Sequence, residues 1–395
     1  MRKSPLLPIF LIVFVDVLGL TIIIPLLPIY AETLGASAFT VGMLISSYGL
    51  CQLIAGPIMG QLSDRLGRKP LLIVSQIGTF IGFLILAFSR TLAVVFLSRI
   101  IDGLTAGNIS VAQAYISDVT TPKNRARSFG LIGIAFGMGF LIGPAISGLL
   151  AKYGTRVPIL AAAALSLTSI LTTIAILPSK APRPEGEAEP VASARSSKLP
   201  LRIVVESLFK PKLGSVLWQF FFFTFAFSLF ISGFPLFAER RFLHAGHPFG
   251  VQEISYALAF MGLLGVIIQG GLIGKLVARF GEGRLVVAGF VSMALSDLLL
   301  SGIHTAPLLL LAIVGLSFGI SVVRPALTSL VTFIVPRDEQ GMAIGLTQSM
   351  MSVSQITAPL LAGALINHGR LGIWACAAAF TCVLGIGMSA ARARG

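Results

Sequence analysis

The chain of 395 residues is 55% hydrophobic and only 11% charged, and its formal net charge is +14. Because a soluble globular chain carries about a quarter charged residues, this composition excludes a soluble enzyme and indicates a polytopic membrane protein. The positive charge does not indicate nucleic-acid binding, because the basic residues lie at the ends of apolar runs, where the orientation of membrane helices requires them.

Twelve apolar runs are each long enough to cross a hydrocarbon core about 30 Å thick. They lie at 7–30, 39–60, 70–88, 92–117, 128–151, 156–177, 214–238, 252–274, 285–303, 306–332, 343–367 and 371–390. With both termini in the cytoplasm, most Lys and Arg residues fall in inner loops, as the positive-inside rule requires. Arg99 and Arg324 lie within spans, and the outer loops hold only Arg90, Lys152, Arg156, Arg240, Arg241 and Arg370.

The sequence therefore predicts an all-α membrane protein of twelve transmembrane helices in two pseudo-symmetric six-helix halves. The N-terminal half is expected at 1–177 and the C-terminal half at 214–395. Residues 178–213 are predicted to be a cytoplasmic linker, because the segment up to Pro200 is rich in Pro, Ala, Ser and Glu and has almost no large apolar side chains. Apolar and charged residues alternate over 199–212, which suits a short amphipathic helix in the membrane interface.

Span 1 contains an acid, Asp16, about ten residues and therefore roughly 15 Å into the membrane. An ionised carboxylate at that depth is costly, so it should face a cavity or a partner. Two interpretations stay open. Asp16 either carries protons during transport or forms a static ion pair.

A polar stretch from Gly60 to Pro70 separates spans 2 and 3 and has the pattern G-x-x-S-D-R-x-G-R-K-P. A degenerate copy begins 214 residues later at Gly274, with Ala278 in place of Asp64. A repeat of this long period indicates two related halves, and in transporters such halves meet at the substrate site. We expect Asp64 to accept backbone N–H groups at the start of a neighbouring helix. Alternatively, the charges of the stretch only enforce topology.

This pattern resembles the loop between helices 2 and 3 of the major facilitator superfamily. The resemblance implies two six-helix halves that rock around a site near the midplane. It also implies that the loop is a conformational latch of the outward-facing state. Its residues are Gly60, Asp64, Arg65, Gly67, Arg68 and Lys69.

Span 4 and its exit contain three motifs, R-I-I-D-G from Arg99, A-Y-I-S-D from Ala114 and R-A-R-S-F-G from Arg125. Together with Asp16 and the prolines of span 1, they resemble the tetracycline efflux proteins and neighbouring drug:proton antiporters of the superfamily. The resemblance implies that Asp16, Arg99 and Asp102 couple transport to protons.

Asp102 departs from that family, in which a small residue is usual at this position. At a spacing of i,i+3 it can reach Arg99 on the same helix face, and such a local pair would neutralise both charges. Alternatively, Arg99 is a switch that stabilises a carboxylate in one conformation and releases it in another.

Span 5 contains Gly139, Gly143, Pro144 and Gly148, and its Pro-x-x-x-Gly part recurs 215 residues later in span 11. The motif resembles the G-x-x-x-G-P-x-x-G-G sequence associated with antiporters, with Ser147 in place of one glycine. The alternative is ordinary close helix packing, which glycines at intervals of four allow in any bundle.

Six residues inside the spans are predicted to line the substrate cavity: Asn108, Gln113, Phe227, Phe230, Arg324 and Gln348. The two phenylalanines belong to a stripe at helical spacing in span 7, from 220 to 237. This stripe either faces lipid or a neighbouring helix, or it offers an aromatic wall to substrates. Arg324 either snorkels to the interface or receives an anionic substrate group.

No nucleophile-elbow or phosphate-loop pattern is present, and the four histidines fall at or outside the outer ends of spans. The three cysteines lie in apolar segments without C-x-x-C spacing. We therefore expect a transporter rather than an enzyme, with no cofactor and no metal site. Its energy comes from an ion gradient or from the substrate's own gradient.

The sequence favours a proton-coupled efflux antiporter for small amphipathic organic compounds, tetracycline-like drugs among them, working by alternating access. We expect a monomer in the bacterial inner (cytoplasmic) membrane with both termini cytoplasmic. Its partners are then the small-molecule substrate, protons and the lipid bilayer, and no nucleic acid. The alternative is proton-coupled or facilitated transport of a metabolite such as a sugar or an organic anion. A membrane-embedded enzyme or receptor is a further alternative.

Overall fold

The structure is a computed structural model that describes residues 6–120, 122–178, 206–335 and 340–394. In the first half of the chain the helices are α1 (Leu6–Thr33), α2 (Ala38–Leu66), α3 (Arg68–Ala87), α4 (Leu92–Thr105), α5 (Asn108–Val119), α6 (Pro122–Ala151) and α7 (Arg156–Ile176). The second half contains α8 (Pro211–Arg241), β1 (Leu243–His244), β2 (His247–Pro248), α9 (Val251–Ile267), α10 (Ile273–Phe280), α11 (Glu282–Gly302), α12 (Ala306–Ile334), α13 (Gln340–Asn367) and α14 (Leu371–Arg394). Most of the predicted linker lies outside the described residues, and 206–209 form one helical turn.

Within the described ranges, twelve helical segments are long and apolar enough to cross a membrane. This confirms the predicted all-α fold and its twelve spans. Span 4 is built from α4 and α5, and span 8 from α9, the π-helical segment Ile268–Leu272 and α10.

The chain divides into two compact units, residues 1–35 with 47–197 and residues 36–46 with 198–395. Within the first unit, α1 packs against α6 and α7, and α3 packs against α4 and α7. Within the second unit, α8 packs against α13 and α14, and α11 packs against α12 and α14. These are the same pairings six spans further on, so the repeat in the sequence extends to the packing of the helices.

The first turns of α2 belong to the second unit because they pack against α13. The Ser46 hydroxyl donates to the Ile356 carbonyl at 2.6 Å, and a Cβ at position 363, which is glycine, would lie only 2.5 Å from the Ala38 carbonyl oxygen. Residues 36–46 therefore group differently from the predicted halves. The predicted limits of the linker, 178 and 213, stay a prediction.

A single glycine separates two helices at each copy of the repeated motif. Gly67 follows α2 with φ 96° and ψ 155°, and Gly281 follows α10 with φ 73° and ψ 158°. This region of backbone conformation is open to essentially no other residue type. The predicted loop 60–70 is therefore helical on both sides of one residue, since α2 continues to Leu66 and α3 begins at Arg68.

The π-helical segment Ile268–Leu272 interrupts span 8, contains two glycines and is followed by a third at 274. A Cβ placed on Gly270, Gly271 or Gly274 would meet no atom within 4 Å. Close packing therefore does not require glycine at these positions. Short π-helical segments inside α-helices are frequent at functional sites.

Candidate functional site

The first unit encloses a polar cluster around Asp16 of α1. The neighbouring side chains are Gln76 of α3 and Ser169 of α7, and Gln76 Nε2 donates to Ser169 Oγ at 2.7 Å. Asp16 Oδ2 and Gln76 Oε1 are buried and have no hydrogen-bond partner among the described residues. Asp16 makes no ion pair within that part of the chain either, so the interpretation as a static ion pair finds no partner there.

A buried ion pair lies next to this carboxyl. Arg99 Nη1 is 3.3 Å from Asp102 Oδ2, and both side chains are 5% exposed. The pair is the local i,i+3 contact that the sequence offers as one of its two interpretations of Arg99. The single contact leaves Arg99 Nη2 buried without a partner among the described residues, and the guanidinium carbon lies 5.8 Å from the centroid of the Phe83 ring.

Small residues and hydroxyls of α3 position the pair. A Cβ at Gly82 would lie 3.0 Å from Asp102 Cβ and 3.1 Å from the Ser98 carbonyl oxygen, so glycine lets α4 approach α3 closely. Thr79 lies beside the Asp102 carboxyl.

Tyr48 of α2 lies close enough to Asp16, Arg99 and Asp102 to interact electrostatically with them. We use the name polar cluster for one set of side chains from five spans: Asp16, Tyr48, Gln76, Arg99, Asp102 and Ser169. Tyr48, Gln76 and Ser169 were not among the site residues predicted from the sequence. The available signal was a glutamine in the middle of the otherwise apolar span 3.

The break in span 4 lies between α4 and α5 and is held by Ser75 of α3. The Gly107 N–H donates to Ser75 Oγ at 2.9 Å, and the Ser75 hydroxyl donates to the Thr105 carbonyl. Asn108 begins the second half of the span, and its Oδ1 is buried without a partner among the described residues. Ser75 therefore fixes how the predicted cavity residue Asn108 follows the helix that carries Arg99.

The predicted latch centres on Arg68. Its Nε lies 2.8 Å from Asp118 Oδ2 at the end of α5, its Nη1 donates to Ser63 Oγ at 2.7 Å, and it also pairs with Asp64. The Ser63 hydroxyl in turn donates to the Gly60 carbonyl at 2.7 Å.

Asp64 pairs with Arg68, and its expected contact with backbone N–H groups of a neighbouring helix stays a prediction. Asp64 lies in the last turn of α2 rather than in a loop, so the guanidinium four residues on is within its reach. Asp118 was missed as a partner, although it ends a motif noted in the sequence. Lys69 Nζ donates to the Ile174 carbonyl at 2.7 Å, and Arg65 is exposed.

The glycines of span 5 form the contact between α6 and α1. A Cβ at Gly139 would lie 2.5 Å from Val17 Cγ1, and one at Gly143 would lie 2.8 Å from Thr21 Cβ. The Thr21 hydroxyl donates to the Gly139 carbonyl at 2.9 Å. Pro144 and Gly148 are buried in the same helix. This arrangement is the close packing that the sequence left open as an alternative, and it holds the helix of Asp16 in place.

The phenylalanine stripe of span 7 packs inside the second unit over most of its length. Phe230 is 2% exposed, its ring centroid lies 5.0 Å from that of Phe234, and it stacks on Trp374 at 6.5 Å. Phe227 is half-buried and stacks on Phe223 at 6.4 Å. Of the interpretations offered for the stripe, packing against a neighbouring helix is the one that fits Phe230.

The remaining predicted cavity residues differ in exposure. Gln113 is half-buried, whereas Gln348 and Arg324 are exposed. Arg324 lies on α12 one turn before the exposed Thr328, whose hydroxyl donates to the Arg324 carbonyl at 2.9 Å.

The family model described as Major Facilitator Superfamily matches residues 9–278 and 249–392, which together cover nearly the whole chain. The chain belongs to the major facilitator superfamily. It is therefore a transporter and not an enzyme, and the resemblance of its motifs to this superfamily is confirmed.

Several relatives of this superfamily member are resistance proteins. The tetracycline resistance protein, class H, of Pasteurella multocida is 32% identical over 91% of this chain and 88% of that protein. The tetracycline resistance protein, class C, of Escherichia coli is 30% identical over 89% and 87%. Multidrug resistance protein 2 of Bacillus subtilis (strain 168) is 29% identical over 90% and 87%. These names match the drug:proton antiporter group indicated by the sequence.

Solved structures of transporters share the fold. The nucleoside transporter NupG superimposes with a TM-score of 0.76 at 17% identity, covering 100% of this chain and 100% of that chain. The human organic anion transporter MFSD10 (TETRAN) gives a TM-score of 0.73 at 22% identity, covering 97% and 98%. At these identities the likeness concerns the fold alone.

In a transporter of this superfamily, the polar cluster provides chemistry that the surrounding apolar spans cannot. Asp16 can bind or release a proton, and Gln76 and Ser169 can donate to its carboxylate or accept from its acid form. The Arg99–Asp102 pair supplies charges of both signs beside it. The site therefore combines one carboxyl that can bind a proton with fixed charges of both signs.

Proposed function

We propose that the protein is a proton-coupled antiporter that exports small amphipathic organic compounds, tetracycline-like drugs among them, across the bacterial inner membrane. The observation that carries the proposal is Asp16, a carboxyl inside span 1 without an ion-pair partner among the described residues. The substrate class is supported by the names of the relatives, which are tetracycline and multidrug resistance proteins.

Competition at one carboxylate explains the coupling. An intramembrane carboxylate is costly when uncompensated, and either a proton or a cationic or polar group of the substrate compensates it. Both use the same oxygens, so binding of one excludes the other. Asp16 takes a proton from the outer side as the substrate leaves, and it releases that proton inward as the next molecule enters.

The Arg99–Asp102 pair controls this exchange. Its single 3.3 Å contact lacks the two parallel hydrogen bonds of a bidentate pair, which is the stronger geometry. The free energy needed to separate Arg99 from Asp102 is therefore lower than for a bidentate pair. A guanidinium that turns from Asp102 toward Asp16 stabilises the carboxylate there and releases its proton, and its return allows the proton to bind again.

The latch residues act on the same cycle from the cytoplasmic end of the first unit. Arg68 connects the end of α2, the start of α3 and the end of α5 through Asp64 and Asp118. We propose that these bonds form in one transport state and break in another, so that they set the populations of the states.

The test uses purified protein in vesicles with an imposed pH gradient and tetracycline as the first probe, followed by a panel of amphipathic cationic dyes. We expect accumulation against the substrate gradient that collapses when an uncoupler is added. Accumulation that persists with the uncoupler would exclude proton coupling. A protein that accumulates no member of the panel and protects cells against none would exclude the drug class.

The orientation is tested separately with reporters. With both termini in the cytoplasm, a reporter inserted at Ala188 is cytoplasmic and one at Gly246 is external. Labelling of both from the same side of the membrane would overturn the proposed topology, whatever the substrate.

A second candidate, export of organic anions, is favoured by one observation. Arg324 is exposed within a membrane span, and an arginine at that depth usually serves a partner or a water-filled path. A carboxylated compound could use this cation. If so, Arg324→Gln should weaken transport of a carboxylated probe while sparing its methyl ester, whereas equal effects on both would favour the first candidate.

A further inference from the structure

We propose that His244 and His247 form a binding site for a divalent transition-metal ion on the hairpin that joins α8 to α9. The site is independent of the polar cluster and of the proposed transport reaction. Its ligand class is a borderline ion that imidazole nitrogen binds well, such as Cu²⁺, Ni²⁺ or Zn²⁺.

The hairpin places the two histidines directly opposite each other. In the antiparallel register of β1 and β2, His244 is the partner of His247. The connecting residues, Ala245 and Gly246, have φ of 49° and 82°. Two left-handed residues make a type I′ turn, which is the tightest connection that preserves the register of a hairpin.

Both imidazoles lie on the same face of the hairpin. Side chains two residues apart along a strand share a face, so His244 lies on the face of Phe242 and His247 on the face of Phe249. The Phe249 N–H donates to the Phe242 carbonyl at 3.1 Å, and the centroids of the two rings are 5.5 Å apart. Because both phenylalanines are buried, they anchor the hairpin and fix the face on which the histidines stand.

The distances suit a chelate. Residues directly opposite on one face of an antiparallel pair have Cβ atoms about 4.5–5.5 Å apart. Metal–nitrogen bonds to histidine are about 2.0–2.1 Å long, so two imidazoles at this separation can reach one ion. Both histidines are exposed, which leaves room for water molecules to complete the coordination.

The charged side chains near the hairpin make contacts of their own and do not block the binding of a cation. Arg240 donates to the Ile366 carbonyl at 2.8 Å and Arg241 Nε donates to the Ile303 carbonyl at 2.8 Å, so both guanidinium groups are directed to the ends of other helices. Glu253 is occupied by the Gly250 N–H at 2.9 Å.

The site has two protein ligands, since no group of three or more potential metal ligands exists among the described residues. With water in the remaining positions, binding should be exchangeable. The order of affinities should follow the general preference of nitrogen sites, with Cu²⁺ above Ni²⁺ and Zn²⁺. Mg²⁺ and Ca²⁺, which prefer oxygen ligands, should not bind.

The test measures Cu²⁺ and Ni²⁺ binding to the full chain, purified without a histidine tag, by competition with a coloured chelator. We expect one ion per chain and a loss of affinity of at least tenfold in His244→Ala and in His247→Ala. His304→Ala and His368→Ala, which change the other two histidines of the chain, are the matched controls and should bind as the parent does.

A third variant tests the geometry while keeping both ligands. Gly246→Val disfavours the left-handed turn at φ 82°, so it should weaken binding although both imidazoles remain. Equal affinity in the parent and both histidine variants, or binding no weaker in Gly246→Val, would overturn the proposal. A loss of binding in either control variant would also overturn it, because the site would then have ligands other than this pair.

Discussion

Corresponding helices pack against each other in the two units, but the side chains between them differ in chemistry. In the first unit the pairings of α1, α3, α4 and α7 enclose charged and polar groups, with Arg99 and Asp102 buried beside Asp16. In the second unit α8 and α14 enclose rings, with the ring centroid of Trp374 4.9 Å from that of Phe237 and 6.5 Å from that of Phe230. One buried carboxyl, Asp297 of α11, also lies in this unit. The repeat therefore fixes how the helices pack, whereas the side chains decide that the first unit contains the buried ion pair.

The largest effect on transport is expected from replacing a buried Asp by Asn in the first unit, and the same replacement in the second unit serves as its control. Asp16→Asn removes the ionisable oxygen at nearly constant volume, so accumulation of substrate in vesicles with a pH gradient should fall to the level of protein-free vesicles. Downhill exchange at equal pH should persist. The matched control is Asp297→Asn in the second unit, where the carboxyl is also buried. Parent-like accumulation by Asp16→Asn would place the proton carrier elsewhere, and Asp102 would be the next candidate.

The next effect concerns the buried pair. Arg99→Gln leaves the Asp102 charge uncompensated at 5% exposure, and breaking a buried pair in this way typically costs about 3–5 kcal/mol. We expect a low yield of folded protein from this variant. The double variant with Asp102→Asn should recover the yield but not the proton-coupled transport, because the proposed switch needs the guanidinium. Size-exclusion chromatography measures the yield, and uptake per folded molecule measures the transport.

The double variant also decides what Arg99 does. If Arg99 serves only to neutralise Asp102, the double variant transports as the parent does. A double variant that folds but does not transport shows that Arg99 has a role of its own, as the proposed switch requires.

The aromatic interior should affect stability rather than coupling. Trp374 is fully buried and its Nε1–H donates to the Leu229 carbonyl at 3.2 Å, so Trp374→Ala should cost about 3–5 kcal/mol. The matched control is Trp218→Ala, at the only other tryptophan, which is half-buried and should cost less. Thermal unfolding in detergent measures both. Transport per folded molecule should stay coupled to protons in each variant, and an uncoupled Trp374→Ala would contradict the division of roles.

The smallest effect is expected at the latch. Asp64 and Asp118 are 54% and 38% exposed in their side chains, and exposed ion pairs contribute at most about 1 kcal/mol each. Asp64→Asn and Asp118→Asn should therefore slow transport by up to about fivefold and shift the accessibility of cysteines introduced into the spans. Ala278→Asp, which restores the acid in the second copy, is the control and should change neither. Unchanged transport in both Asn variants would leave the latch residues with a topological role only.

The sequence predicts those features that depend on one segment at a time. The twelve spans follow from hydropathy, and the local contact of Arg99 with Asp102 follows from helical spacing. The partners of Asp16 could not be predicted, because nothing in spans 3 and 6 says which of their faces meets span 1. The contact of Asp64 with Arg68 was not predicted, because the end of α2 was placed about six residues too early and the acid was assigned to a loop.

The two interhelical glycines have a consequence for mutational scanning. Gly67 and Gly281 share a backbone conformation that L-amino acids avoid, so all nineteen replacements at either position should lower the amount of folded protein. A resistance screen would score both positions as essential, although neither needs to touch substrate or proton. Position 64 and its counterpart 278, three residues before these glycines, have no such constraint. Differences between them in such a screen would therefore report on the transport cycle, once surface expression is counted separately.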